Sequence, residues 1–95
     1  MGSTKKAAYQ LTLTKAERRA IDWVGDRYPH GTGLYRALYV DCVRDTDQGW
    51  DADVDITFHV PEAAARRIAN MGVGGWACFD EGLVSKLNEF VSQIP

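Results

Sequence analysis

The run DTDQGWDADVD, from Asp45 to Asp55, divides the chain near its middle and leads into the stretch Val54-Asp55-Ile56-Thr57-Phe58-His59-Val60. It places five aspartates, a glycine and a tryptophan ahead of regularly alternating apolar residues. Alternation of this kind is typical of a half-buried β-strand. We therefore predict that the run joins two halves of the chain, each made of one strand followed by two helices.

The first half begins with a short strand and an amphipathic helix. Apolar residues alternate from Ala8 to Leu13, and Thr14-Lys15-Ala16-Glu17 has the sequence of a capping box. A helix is therefore expected from Lys15 to Tyr28, ending before Pro29. Its predicted apolar face consists of Ala16, Ala20, Ile21, Trp23, Val24 and Tyr28. Its predicted polar face consists of Lys15, Arg18, Arg19, Asp22 and Asp26.

The second helix is expected from Leu34 to Arg44, with Thr32 as its N-cap. The same segment is rich in residues that favour strands, so a strand there remains an alternative. These residues are Tyr35, Tyr39, Val40 and Val43.

The second half repeats this order with clearer signals. Pro61 suits the first position of a helix, which we expect to end at Gly72. An irregular connection then leads to Asp80, a candidate N-cap for a helix through Ile94. That final helix presents one continuous apolar face, formed by Leu83, Val84, Leu87, Phe90, Val91 and Ile94.

These elements predict a small α+β domain with the order β-α-α-β-α-α, in which amphipathic helices cover a two-stranded sheet. Residues 8–95 form its single globular domain, and residues 1–7 are expected to be a disordered or vector-derived N-terminus. No stretch has the length and apolarity of a membrane span, so a cytoplasmic protein is expected. Short unpaired strand edges also predict a homodimer.

Charge is distributed unevenly along the chain. Residues 1–44 carry a net charge of +4 and residues 45–95 carry −6. We interpret the acidic run as a surface that binds a basic partner, with Trp50 as its apolar anchor. The alternative for Trp50 is a ring folded back over the core of its own domain. The predicted partner-binding residues are Asp45, Asp47, Trp50, Asp51, Asp53, Asp55 and Trp76.

Three other interpretations of the sequence are weaker. Calcium could bind the aspartates of the run, but its glycine stands fifth rather than sixth and Ile56 occupies the twelfth position of an EF-hand loop. Paired arginines could contact DNA, although acids are interleaved with them and the pI is about 5.6. Cysteine and histidine residues lack an activating context. We expect no catalytic residue, metal or other cofactor, and no small-molecule substrate.

The segment LTLTKAERRAIDWVGDRYPHG, from Leu11 to Gly31, resembles the opening of small phage and prophage proteins of unassigned role. Later features agree with this resemblance: the helix start Val60-Pro61-Glu62, the turn Cys78-Phe79-Asp80 and the final amphipathic helix, which is expected to run through Ile94. The resemblance implies an accessory protein of a mobile element, a class that includes anti-CRISPR proteins. It brings no catalytic residue and implies action by binding a host protein complex.

Overall fold

A computed structural model describes residues 9–72 and 80–94, with all of their side chains except those of residues 29–31. In these ranges the chain forms β1 (Tyr9–Leu13), α1 (Lys15–Gly25), α2 (Pro29–Tyr35), a π-helical turn (Arg36–Val40), β2 (Val43–Arg44), β3 (Ile56–Val60), α3 (Glu62–Ala69) and α4 (Glu81–Val91). The predicted α+β class is confirmed. The N-terminal segment predicted to be disordered lies outside the described residues, as do Trp76 and Cys78.

The sheet is antiparallel, with strand order β1-β3-β2. The two predicted strands pair with each other, so that Leu11 lies opposite Phe58. The prediction of only two strands is wrong, because β2 pairs with the other edge of β3 and places Val43 opposite His59. Asp45 extends this pairing, since its amide donates to the Thr57 carbonyl and its carboxylate accepts from the Thr57 amide, both at 3.1 Å.

The core lies between one face of the sheet and the helices. Alternate residues of β1 and β3 point into the core. The apolar face of α4 also faces the core, as its sequence predicts. The fully buried apolar side chains include Leu13, Ile21, Leu34, Leu38, Ile56, Phe58, Ile68, Leu83 and Leu87.

Helix α1 begins as predicted but is rotated relative to its predicted faces. The Thr14 hydroxyl accepts from the Glu17 amide at 3.1 Å, and the Glu17 carboxylate accepts from the Thr14 amide at 2.8 Å. Its buried residues are Arg18, Ile21 and Val24. The prediction that Trp23 faces the core is wrong, because Trp23 is 44% exposed while Arg18 is fully buried.

Helix α2 starts at Pro29, five residues before the predicted start, and the helical backbone ends at Val40. Proline has no amide hydrogen to lose in the first turn, so it is well suited to begin this helix. Helix α1 has already ended at Gly25, three residues before its predicted end at Tyr28. Thr32 is inside the helix and is not its cap. Residues 43–44, predicted as the last helical turn, join the sheet.

The remaining helices start close to their predicted positions, but α3 ends at Ala69, three residues before its predicted end at Gly72. Pro61 is the residue preceding α3 rather than its first residue, and Gly72 follows that helix with the positive φ of 66° that glycine adopts without strain. The Asp80 carboxylate accepts from the Leu83 amide at 2.9 Å, which confirms the predicted cap of α4. That helix ends at Val91, three residues before its predicted end.

Candidate partner-binding surface

The acidic loop, residues 45–55, connects β2 to β3 and is held by the buried side chain of Arg18. Arg18 Nε donates to the Trp50 carbonyl at 2.6 Å. Its Nη2 donates to the carbonyls of Ala52 and Val54 at 2.6 and 2.9 Å, and Nη1 donates to the Leu13 carbonyl at 2.7 Å. One guanidinium therefore fixes three alternate residues of the loop and joins them to the end of β1.

Burying a positive charge is costly unless its donors are satisfied. Desolvation lowers the pKa of Arg18, and the neighbouring carboxylates of Asp55 and Asp51 act in the opposite direction. Arginine keeps its charge because its intrinsic pKa is so high. Two kinds of group in the loop therefore offset the cost of burying the Arg18 charge. Carbonyl oxygens contact the guanidinium directly, and carboxylates act on it from farther away.

Trp50 is part of the core and only 7% exposed. Its ring lies edge-on to Tyr35, with 4.8 Å between centroids, and within 5.9 Å of the Phe58 ring. Its indole Nε1 donates to Asp22 Oδ1 at 2.9 Å. The interpretation of Trp50 as an exposed anchor is therefore wrong, and the alternative of a ring folded over the core describes it correctly.

The five aspartates of the loop do different things. Asp45 is used by the sheet, and Asp53 pairs with Lys15, whose hydrogen bond and charge lower the pKa of the Asp53 carboxyl. The other three, Asp47, Asp51 and Asp55, are exposed and form no hydrogen bond or ion pair with any other residue that the structure describes. These three carboxylates, the outward aspartates, are available to a partner.

Helix α1 and its C-cap residue add two carboxylates that the sequence did not assign to the site. Asp22 and Asp26 lie beside Asp51, and the three line a groove of about 360 Å³ that also contacts Tyr35 and Trp50. A second groove of about 460 Å³ shares the same three carboxylates and extends to Trp23. The one-turn spacing of Asp22 and Asp26 was visible in the sequence, but their approach to Asp51 depends on the tertiary fold.

Electrostatics in the first groove are dominated by burial and by like charges. Burial raises the pKa of Asp22, and the carboxylates of Asp51 and Asp26 raise it further. The hydrogen bond from Trp50 and the charge of Arg18 lower it without cancelling the increase. A cation placed here would therefore relieve an existing repulsion.

The aspartates do not form an ion-binding cluster. Among residues 9–72 and 80–94, no three carboxylate, histidine or cysteine side chains are arranged to hold a metal ion. Asp45 and Asp53 are instead oriented toward Thr57 and Lys15. The calcium interpretation gains no support from this geometry.

The arginines required by the DNA-binding interpretation are dispersed. Arg18 is buried, Arg66 pairs with Glu62 at 2.7 Å, and Arg67 pairs with Asp41. Two others lie over aromatic rings, Arg27 on Trp23 and Arg44 on Tyr39. These five arginines are therefore engaged within the domain, and the DNA-binding interpretation gains no support from them.

Cys42 is a structural residue. Its thiol is buried, lies 3.1 Å from the Ala37 carbonyl, and has its pKa raised to about 12 by burial. It is therefore protonated at neutral pH and is not a thiolate nucleophile. The other residues considered for nucleophilic chemistry are His59, which lies in β3, and His30 and Cys78. The His30 side chain and Cys78 lie outside what the structure describes.

Comparison with protein-family models, with curated proteins and with solved structures found no match to this chain. None of the helices in residues 9–72 and 80–94 has the length and apolarity needed to cross a lipid bilayer.

Proposed function

We propose that this protein is a non-enzymatic inhibitor or adaptor that binds a basic surface of a host protein complex through its acidic loop. The resemblance to small phage and prophage proteins supports an anti-CRISPR-like role in the cytoplasm of the host cell. The proposed partner is a protein, and no cofactor, small-molecule substrate or membrane is needed.

The observation that carries this proposal is the hold of Arg18 on the loop backbone. Binding surfaces lose affinity when a loop must be ordered on association. Here three alternate carbonyls are fixed from within the domain, so much of that ordering is completed on folding.

The outward aspartates supply the recognition charge. They concentrate negative charge on one fixed segment, which would accelerate encounter with a basic surface and disfavour acidic partners. Any of these carboxylates that becomes fully buried against an arginine would contribute more to affinity than those left at the rim.

A comparative capture experiment tests the proposal. The immobilised chain would be incubated with host lysate and bound proteins identified by mass spectrometry, for the wild type and for the triple variant Asp47→Asn, Asp51→Asn, Asp55→Asn. We expect one predominant basic partner that the triple variant fails to retain. A second triple variant, Glu62→Gln, Glu81→Gln, Glu89→Gln, makes the same charge change on α3 and α4 and should retain it. Equal capture by both triple variants would remove the acidic loop from the function.

A further inference from the structure

Trp23, rather than Trp50, is an exposed tryptophan that could act as an apolar anchor. It is an aromatic residue next to the acidic loop, and 44% of it is exposed on the outer face of α1. Burying such a ring contributes strongly to binding, and tryptophan is prominent among the residues that dominate interface energetics. The combination of a buried arginine and an exposed tryptophan on one short helix is the reverse of what solvation alone favours.

The surroundings of Trp23 are acidic and grooved. Asp22, Asp26 and Asp51 separate the groove that contains Trp23 from the groove lined by Tyr35 and Trp50. Lys15 and Arg19 line the Trp23 groove, and Lys15 is already paired with Asp53. No basic residue of the described chain lines the other groove, which combines three carboxylates with two aromatic side chains.

The chain itself contains an arginine that stacks on this aromatic surface. The Arg27 guanidinium lies 3.7 Å from the centroid of the Trp23 ring, so this ring already accommodates a planar cation. Arginine combines stacking on aromatic faces with paired hydrogen bonds to carboxylates, whereas the lysine ammonium is a compact point charge. Both features favour arginine over lysine at a surface of aromatic rings and carboxylates.

We propose that the face of α1 formed by Asp22, Trp23 and Asp26, together with Asp51, docks an arginine-bearing segment of the partner protein. A guanidinium enters the carboxylate-lined groove between α1 and the loop, and an apolar part of the same segment packs on Trp23. This inference rests on the proposed function, since it assigns the partner's chemistry at the edge of the acidic loop. It also moves the apolar anchor from Trp50 to Trp23.

Fluorescence anisotropy with labelled synthetic peptides tests this assignment. The probes are a ten-residue peptide of alternating arginine and leucine, its lysine counterpart and its glutamate counterpart. We expect the arginine peptide to bind more tightly than the lysine peptide and the glutamate peptide not to bind. Trp23→Ala should weaken binding of the arginine peptide about tenfold or more, as expected for a central anchor. Val40→Ala is the control for truncating an exposed apolar residue, because Val40 is 68% exposed and lines neither groove, and it should leave affinity within about twofold.

Several results would overturn the inference. These are equal affinity for the arginine and lysine peptides, equal affinity of the Trp23→Ala and wild-type proteins, and tighter binding to duplex DNA than to the arginine peptide. Circular dichroism of each variant would establish that the fold is retained, which is expected because Trp23 and Asp26 are exposed.

Partner capture separates failure of this inference from failure of the proposed function. If Asp47→Asn with Asp55→Asn abolishes capture while Trp23→Ala with Asp26→Asn preserves it, the acidic loop stands and the α1 face is excluded. If both pairs preserve capture, both proposals fail. Loss of capture with the α1 pair, together with a lost preference for the arginine peptide, supports the inference.

Discussion

Arg18 reaches carbonyls in two separate parts of the chain, and this is what fixes the acidic loop in place. Replacement by methionine keeps much of the length but removes every donor. We expect Arg18→Met to lower the free energy of unfolding by at least about 3 kcal/mol, because it leaves four carbonyls without a donor and each one that stays buried costs about 1–3 kcal/mol. Urea denaturation followed by circular dichroism would measure this loss.

Two further variants keep this prediction measurable if Arg18→Met does not fold. Arg18→Lys retains the charge but cannot place its three donors on four carbonyls, so its loss should be smaller than that of Arg18→Met. Arg19→Met changes the exposed neighbouring arginine and should stay within about 0.5 kcal/mol of the wild type. Equal stability of the variants at positions 18 and 19 would contradict the role assigned to Arg18.

Asp22 gives a second prediction at the residue scale. Because like charges help to raise its pKa, Asp51→Asn should lower the pKa of the Asp22 carboxyl, measured by NMR titration. Asp47→Asn is the control, because Asp47 is not among the charges that shift Asp22. An unchanged Asp22 pKa in the Asp51 variant would show that the two carboxylates are not coupled.

The same pKa has a defined effect on stability. A carboxyl whose pKa is raised on folding favours the native state at low pH, and this contribution is lost as pH rises from the ordinary value of 3.8 through the folded value. The stability difference between Asp22→Asn and the wild type should therefore shift in favour of the variant across that window. Asparagine can still accept from the Trp50 indole, so the hydrogen bond is retained in the comparison.

Arg18, Trp23 and Trp50 also show the limit of sequence interpretation for single side chains. A helical period assigns Arg18 to the polar face and Trp23 to the apolar one. The observed orientation depends on loop carbonyls more than 30 residues away, which periodicity cannot detect. Burial of Trp50 similarly requires the aromatic side chains of Tyr35 and Phe58 to surround it in three dimensions.

At the scale of elements, the sequence predicts the features that depend on neighbouring residues, such as helix caps and the apolar face of a helix. The caps at Thr14 and Asp80 were predicted correctly because each involves residues within one helical turn. The apolar face of α4 was predicted because its period is unbroken. Strand β2 was not, since two residues carry no period and its conformation follows from pairing with β3.

The candidate surface was only partly predictable for the same reason. The exposure of the outward aspartates follows from the sequence, because an acidic run of this density remains in solvent in most folds, whereas their binding of a partner stays a prediction. Asp22 and Asp26 were assigned to a solvated helix face, and only the packing of α1 against the loop makes them part of a groove. The sequence identifies α1 and the acidic loop separately, but it does not predict that they pack against each other.

At the scale of the whole molecule, self-association remains a prediction and now has a specific surface. Strand β2 is an edge strand, and its residue Val43 is 71% exposed, as is nearby Val40 at 68%. Edge strands with exposed apolar residues favour pairing with a second copy. Light scattering over a range of concentrations should show a dimer that Val43→Lys converts to a monomer. Val54→Lys, at a valine 40% exposed outside the strands, should not. A monomer at all concentrations would exclude the dimer.

The unequal charges of the two halves do not produce two separate faces. Arg18, from the basic half, lies within hydrogen-bonding distance of the acidic loop, and Lys15 pairs with Asp53. Lys86, from the acidic half, bonds to Glu17 and to the Thr12 carbonyl. Part of the charge difference between residues 1–44 and residues 45–95 is therefore offset by contacts between the two halves.

The pairing of β1 with β3 also sets the order in which the chain can assemble. Thr12 and Thr57, whose hydroxyls lie 2.8 Å apart across this ladder, are 45 positions apart in sequence, so no tight turn can initiate it. Closing so large a loop lowers the conformational entropy of the chain before strand contacts can form to offset that loss. Helices α1 and α2 are adjacent in sequence and pack extensively on each other, so they can form first and shorten that loop. We therefore expect the sheet, and with it the hydrogen bonds from Arg18 to the loop, to form after α1 and α2 have packed together.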